Sequence, residues 1–535
     1  MKNVGSGDEF QSQMRNGLVA VIPEFLASRR WFGGKARTVR AIEVSDIIPL
    51  TSAPSRAFLT LIRVIYAAGS SETYSVPLIL KSPEETIPAG AFPLTVKLPS
   101  EPEASVLYDA VLNESFLEFL LQAVARGSTF SGTGGEVTAV HTAALSSLWR
   151  SSQERLQPAL MNAEQSNTSV IFGKRLVLKI FRRLEEGINP DVEVGTFLTE
   201  GSRFSHSPAM AGHLQYASTA GRSSSLGIVQ AFVPNEGDAW KFTLGALASY
   251  YDGKTNDPIE PDQTPPDGLL ARASQPLPAH ARERIGEYLQ FTELLARRTA
   301  ELHLALSSAS GDPAFYPEPF TSADLGVFSQ SALDLLNQTF ELLREKQKTL
   351  PEDIREHAAR VLALEEEAVR RLRSLLQMGI TAMRTRIHGD YHLGQVLFTG
   401  TDFVIIDFEG EPARSLSERR AKRSPLQDVA GMLRSFHYAA YAPLLGSPSG
   451  PQNVQTRSQW ADYWQAWVCA TFLRTYLNIS GNAGHIPHNK VELQALLDAY
   501  LLEKAIYELK YELNNRPQWL AIPLEGIVHL LTGAT

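Results

Sequence analysis

The apolar positions of this chain change period several times, and each change predicts an element. Between about residues 14 and 30, Leu18, Val21, Ile22, Phe25 and Leu26 recur at helical spacing. The paired glycines of Arg29-Arg30-Trp31-Phe32-Gly33-Gly34-Lys35 then mark a turn, with Trp31 expected to be buried beside it. Four strand-like runs, 39–44, 58–66, 74–80 and 94–98, are separated by short Pro, Ser and Gly stretches. They predict an antiparallel sheet packed on the first helix, a small α+β subdomain ending near residue 100. A helix is expected from Tyr108 to about Ala125, and the glycine-rich 127–135 after it reads as a flexible surface connection. That stretch has no strand before it and no Lys-Ser/Thr after it, so it does not make a Walker-type phosphate loop.

Further on, apolar runs at 170–172 and 176–181 around a Gly-Lys turn predict a β-hairpin, with Ser166, Asn167 and Thr168 just ahead of its first strand. Lys179 lies inside the second run, LVLKIF, where an ammonium must reach water or face an anion. Asp191 and Glu193 open the next helix, where the dipole favours acids. Another strand, 227–233, carries Gln230 and ends at Pro234-Asn235. The remainder is strongly helical. The stretch 287–307 is periodic through Leu294, Leu295, Leu302 and Leu306, with His303 expected to pack or cap, and 354–378 reads as one charged amphipathic helix. Trp460, Trp464 and Trp467 recur at helical spacing and are expected in the core. The stretch 252–278, rich in Pro, Asp and Gly, reads as a disordered or loosely packed insertion.

Candidate chemistry concentrates in 386–412, RIHGDYHLGQVLFTGTDFVIIDFEGEP. Apolar runs at 396–398 and 403–406 flank a Thr-Gly-Thr-Asp turn, so a hairpin would return Gln395 and Asp407 toward Asp390. A carboxylate that orients and deprotonates a hydroxyl, with an amide and a second carboxylate holding Mg²⁺, is the set phosphoryl transfer requires. The spacing matches the kinase catalytic loop H-x-D-x-x-x-x-N and the D-F-G that follows it, with Gln395 for Asn and Glu409 for Gly. In kinase order, Lys179 and Glu193 stand as the strand lysine and helix glutamate that serve the α/β-phosphates of ATP. Ser166, Asn167 and Thr168 would cover those phosphates, and the strand bearing Gln230 would form the hinge that holds adenine. Asp428, at a helix start, is expected to cap or brace the catalytic loop. Lys504, Tyr507 and Tyr511 fall at i, i+3 and i+7 on one helix face, a stripe of donors and flat rings that suits a carbohydrate. Their contacts are expected on sugar oxygens remote from the reacting atom.

Composition narrows the partners. A chain of 535 residues, 44% hydrophobic and 20% charged, has material for two or three globular cores. A formal net charge of −8 argues against nucleic acid or an anionic membrane as the main partner. With Cys469 as the single cysteine there is no disulfide framework and no thiolate metal cluster. No apolar run approaches a membrane span and the polar first residues do not resemble a signal peptide, so the cytoplasm is the expected compartment.

The motifs RIHGDYHLGQVL, IDFEGEP, SPLQDVAGMLRSF, AEQSNTS, LVLKIFRRLEEGINPDVEVG, RRTAELHLAL, RWFGGKAR and EKAIYELKYELNNRPQWLAIPLEGI together resemble bacterial maltokinases, above all the form fused to trehalose synthase. The resemblance covers nearly the whole chain outside 252–278. It implies an α+β, two-lobe, protein-kinase-like fold of the aminoglycoside phosphotransferase-like group. An N-terminal α+β cap would span 1–100, a kinase N-lobe with an intermediate subdomain 101–235, and a mostly helical C-lobe 236–535. The implied activity is ATP-dependent phosphorylation of maltose at its anomeric hydroxyl, giving maltose 1-phosphate for α-glucan (glycogen) synthesis from trehalose. Asp390 would be the base, Gln395 and Asp407 the Mg²⁺ ligands, Lys179 a phosphate contact, and Lys504, Tyr507, Tyr511 and His392 sugar contacts. Any trehalose synthase partner would be a separate chain. His437 stands in RSFHYAA where Asp is expected in many relatives, which leaves other sugars such as glucosamine open. The competing class is a non-catalytic pseudokinase-type binding protein, and intact Asp390, Gln395, Asp407 and Lys179 argue against it.

Overall fold

The computed structural model describes residues 5–51, 56–81, 85–97, 104–149, 154–161, 166–254, 259, 265, 268–308, 311–445 and 451–533. The chain divides into two compact units, Met1–Glu200 with Pro208–Pro234, and Gly201–Ser207 with Asn235–Thr535.

Alternating β-branched and aromatic runs give the first unit two antiparallel sheets. Among the described residues, one has six strands: Val39–Pro49, Ala57–Tyr66, Glu72–Leu80, Ser105–Asp109 and Leu94–Val96 in spatial order, with Arg183–Leu184 added on the Glu72–Leu80 strand. The helix Gly5–Ser28 lays Leu18, Ile22, Phe25 and Leu26 onto this sheet in one core with Ile62, Tyr74 and Val76. Trp31 is half-buried at the edge of that core, tilted against Tyr74, with the Arg182 guanidinium 5.0 Å from its ring centre. The second sheet runs Thr129–Ser131, Gly135–His141, Met210–Ser218, Ser223–Ala231, Leu176–Phe181, Asn167–Phe172 and Pro158–Leu160. Gly173 and Lys174, in the three-residue loop between the paired Phe172 and Leu176, turn its central hairpin with left-handed φ of 53° and 54°.

Two expectations change here. The helix predicted from Tyr108 begins at Glu114, because Ser105–Asp109 is drawn into the first sheet and Asn113 supplies the N-cap, accepting from the Phe116 N–H. The glycine-rich 127–135 is not a loose connection. It ends the helix at Gly127 (φ 62°) and forms the hairpin Thr129–Ser131/Gly135–His141. Gly134 donates to the buried Asp46 at 3.1 Å, and a Cβ at Gly134 would lie 3.1 Å from the Asp46 carboxyl carbon.

Arg182 joins the two sheets. It is 1% exposed, with Nη2 2.8 Å from Asp109 Oδ2 and Nε 2.9 Å from Thr168 Oγ1.

The second unit is helical around a short hairpin, Val396–Phe398/Phe403–Ile405. Ala239–Lys254 and Tyr288–Leu306 pack against that hairpin, and Leu426–Tyr441, Pro451–Ser480 and Lys490–Asn515 are further long helices of the unit. Trp460, Trp464 and Trp467 are at most 2% exposed, the core role their spacing predicted. The single helix expected over 354–378 is two, Glu352–Ala363 and Glu365–Ser374, broken at Leu364 (φ −97°, ψ 10°). The break lets Ala358, Val361, Ala368 and Leu372 enter one core. Of the expected insertion, residues 255–258, 260–264 and 266–267 lie outside the described residues, while Ala239–Lys254 and Leu269–Ser274 are helices. No helix among the described residues is long and apolar enough to cross a membrane.

Removing one partner from a buried ion pair strands the other charge. Asp109→Ala should therefore cost about 3–5 kcal/mol of stability, read by urea unfolding. A loss below about 1 kcal/mol would show that the Arg182 pair is not a structural tie.

Candidate active site

The catalytic stretch is shaped by one buried carboxylate. Asp428, in the first turn of Leu426–Tyr441, is 1% exposed. It accepts from the His388 N–H at 2.7 Å, the Gly389 N–H at 2.9 Å and His303 Nε2 at 3.1 Å. Burial alone would raise its carboxyl, but the hydrogen bond from His303, the neighbouring imidazoles and the Gly389 N–H hold it below the usual range. The brace expected of Asp428 is thus in place, and His303, expected merely to pack or cap, completes it.

Gly389 takes φ 85° in the turn this produces. His388 Nε2 lies 2.9 Å from the Ile406 carbonyl, which can only accept, so Nε2 carries the proton and Nδ1 faces the Asp390 N–H at 3.4 Å. The imidazole thereby ties Asp390's backbone to the strand end before Asp407. The hairpin closes as predicted: Ile406 N–H donates to the Gln395 carbonyl at 3.0 Å, and Gln395 Nε2 donates to Asp407 Oδ2 at 3.0 Å. Asp407 sits at φ 66°, a conformation that costs a non-glycine residue about 1–3 kcal/mol and is characteristic of functional sites. Asp407 and Glu409 offer carboxylate oxygens within 4.8 Å of one another, the kind of ligand a hard cation such as Mg²⁺ takes. Glu409 was read from the sequence merely as a substitute for Gly.

A cavity of about 380 Å³ opens beside Asp390, lined among others by Glu411, Arg414, Lys504, Tyr507 and Tyr511. Lys504 Nζ is 3.6 Å from Asp390 Oδ1. Burial would lower the Lys504 pKa, but Asp390, Glu508, Glu411 and Glu503 outweigh it, and the ammonium is favoured. This corrects the expectation that Lys504 works remote from the reacting atom: the helix Lys490–Asn515 runs close enough to set its ammonium against the candidate base. Tyr507 donates to Glu411 Oε1 at 2.9 Å, while Tyr511, 45% exposed, lies at the rim. Burial and Asp390 push the Glu411 carboxyl up, against Lys504, the Tyr507 hydroxyl and the Ala413 N–H. Sequence reasoning missed Glu411, although it stands in the quoted IDFEGEP motif. His392 caps the turn Leu393–Gln395, accepting from the Gly394 N–H at 3.1 Å, with Nε2 3.9 Å from Asp390 Oδ2. It does not line the cavity.

The residues expected at nucleotide lie in the first unit. Lys179 Nζ is 3.4 Å from Oδ2 of the 1% exposed Asp191, which opens the same helix as the expected Glu193. Thr168 accepts from Arg182, Ser166 is exposed and Asn167 begins the Asn167–Phe172 strand. Gln230 pairs with Val177 and Met210 in the sheet.

Comparison with known proteins adds to this geometry. A model of the maltokinase N-terminal cap domain matches residues 25–112, and one of the phosphotransferase enzyme family matches residues 258–444. The glucosamine kinase of Mycolicibacterium smegmatis is 25% identical over 377 residues, 70% of this chain and 80% of its own. That of Streptacidiphilus jiangxiensis is 23% identical over 377 residues, covering 69% and 72%. A solved glucosamine kinase in complex with glucosamine, ADP and inorganic phosphate superposes with a TM-score of 0.60 at 18% identity, over 97% of this chain and 99% of that one. At that identity the likeness establishes the two-lobe fold with its cap.

The raised Glu411 carboxyl has a testable consequence. The folded state holds its proton to higher pH than the unfolded chain, so its contribution to stability is lost as pH rises through the folded pKa. Glu411→Gln should therefore raise the melting temperature relative to wild type at pH 7–8 more than near pH 4, where both states are protonated. A difference that does not vary with pH would contradict the assignment.

Proposed function

The chain is a maltokinase-like phosphotransferase with a hydroxyl acceptor, and from that premise we propose that it phosphorylates a neutral sugar, maltose, at the anomeric hydroxyl at the expense of ATP. The observation that carries the choice of sugar is the partly buried ammonium of Lys504 3.6 Å from Asp390. A hydroxyl tolerates a cation beside the base that receives it, whereas the ammonium of a protonated amino sugar brought into the same cavity is repelled by it. The names of the curated relatives favour glucosamine, and the acids Glu411, Glu418 and Glu503 of the same cavity give that reading its support.

In the reading we adopt, Asp390 aligns the sugar hydroxyl and takes its proton as the oxygen attacks the γ-phosphorus in line. Lys504 and Tyr507 hold neighbouring sugar oxygens, and Tyr511 flanks the outer ring at the rim. Gln395, Asp407 and Glu409 would hold Mg²⁺, which supplies neutralisation of phosphate charge. Lys179, steadied by Asp191, is proposed to face the phosphates, with Ser166, Asn167, Thr168 and Glu193 near them and Gln230 toward the base. A cytoplasmic location and a separate trehalose synthase chain as source of maltose are part of the same proposal.

A panel of maltose, glucose, glucosamine and an aminoglycoside, coupled to ADP release, tests the sugar. Maltose should give the highest kcat/KM; preference for glucosamine would overturn the reading. Asp390→Asn should reduce kcat by about a hundredfold or more with the melting temperature unchanged. Near wild-type turnover would remove Asp390 from the chemistry. Lys504→Ala should raise the KM for sugar and also lower kcat, since it lies against the base, while the KM for ATP stays within about twofold.

A further inference from the structure

Three polar residues of RRTAELHLAL, in the helix Tyr288–Leu306, meet the catalytic stretch or its brace. Arg298 donates from Nε to Asp402 Oδ1 at 2.8 Å and from Nη2 to Asp402 Oδ2 at 2.7 Å, a two-pronged pair on the turn of the 396–405 hairpin. Thr299 Oγ1 lies 2.8 Å from the Tyr391 hydroxyl, and His303 Nε2 bonds Asp428. Thr299 and His303 are four residues apart and so stand one above the other on a single helix face.

These last two contacts bracket the candidate base. Asp428 fixes the amides of His388 and Gly389 on one side of Asp390, and Tyr391 follows it directly on the other. Thr299 has one hydroxyl proton and gives it to the Leu295 carbonyl at 2.8 Å, so toward Tyr391 it accepts and the phenol donates. The Tyr391 backbone is held from another direction. A Cβ on Gly431 of Leu426–Tyr441 would lie 2.5 Å from the Tyr391 carbonyl oxygen, so that helix approaches as closely as glycine allows.

His303 serves Asp428 in one orientation. Nε2 donates to Asp428 Oδ2, while Nδ1 lies 2.9 Å from the hydroxyl of Tyr476, on Pro451–Ser480. Turned over, the ring would set carbon atoms where both nitrogens now lie and lose both bonds. Tyr476, fully buried, thus selects the orientation that reaches the brace.

Neither Thr299 nor Tyr476 lines the Asp390 cavity, so neither touches a sugar bound there. We propose that both are positioning residues for the phosphoryl transfer, Thr299 through Tyr391 and Tyr476 through His303 and Asp428, together holding the Asp390 carboxylate on the line of attack. The proposal rests on the reading of Asp390 as the base. Core packing alone makes a different claim: loss of either hydroxyl lowers stability and leaves turnover as it was.

Steady-state kinetics of the full chain, with whichever of maltose, glucose, glucosamine and an aminoglycoside turns over fastest, separate the two. Thr299→Val keeps the shape and removes the hydroxyl. It should lower kcat about tenfold, the scale of one lost hydrogen bond, with both KM values within about twofold of wild type. Thr299→Ser, which keeps the hydroxyl, should hold kcat within about twofold of wild type. Tyr476→Phe should lower kcat about threefold or more with KM unchanged, and it decides if Thr299→Val does not fold. Introduced into Asp390→Asn, either substitution should leave the residual kcat within about twofold, because no base remains to be positioned. Wild-type kcat in either folded variant, or an equal loss in the Asp390→Asn background, overturns the proposal. Turnover retained by Asp390→Asn itself overturns the reading of the base, and the inference with it.

Discussion

One carboxylate holds the catalytic stretch in shape. Asp428 receives the backbone N–H groups of His388 and Gly389 and the imidazole of His303. Two consecutive amides can converge on one carboxylate only if the chain turns sharply, and Gly389 accepts the left-handed φ this imposes. Asp390 is the residue that emerges from the turn. Its direction is then fixed by His388, which bonds the Ile406 carbonyl and leaves its other nitrogen toward the Asp390 amide. The strained Asp407 lies one residue further on and is held by Gln395. Base and metal-ligand candidates are thus set by the same few hydrogen bonds, in a region where an unpaired buried group would cost about as much as each bond contributes.

Electrostatics then shape the Asp390 cavity. Opposite charges about 4 Å apart near a protein surface attract by about 4 kcal/mol, comparable with the several kcal/mol that burying an ion costs. Lys504 remains an ammonium because Asp390, Glu508, Glu411 and Glu503 surround it together. Removing its charge leaves acids facing one another, and Glu411 already shows that strain in its raised carboxyl. The proposal of a neutral sugar rests on this balance of charge around Lys504.

Much of this was legible in the residues. The 386–412 stretch carries its chemistry in fixed order around a short hairpin, so Gln395 meeting Asp407 follows from local geometry, as does the Asp428 brace from its place at a helix start. What escaped depends on contacts distant in sequence. Tyr108 has helical neighbours, yet pairing of Leu107–Asp109 with Leu78–Leu80 makes it a strand. The glycine-rich 127–135 looks mobile until Asp46, some ninety residues earlier, receives Gly134. Asp191, read only as one of two acids at a helix start, meets Lys179, because spacing alone does not say which acids such a start turns inward. Glu411 lay unnoticed because its role comes from Tyr507 and Lys504, nearly a hundred residues away.

The central claim is that phosphate passes to the anomeric hydroxyl of a neutral sugar held against Asp390. Proton-coupled ³¹P NMR of the product formed from ATP, Mg²⁺ and maltose addresses it directly. The account predicts ADP together with a phosphomonoester whose signal is a doublet, split by the one anomeric proton. ADP with inorganic phosphate alone, or an ester split by two methylene protons, would contradict it.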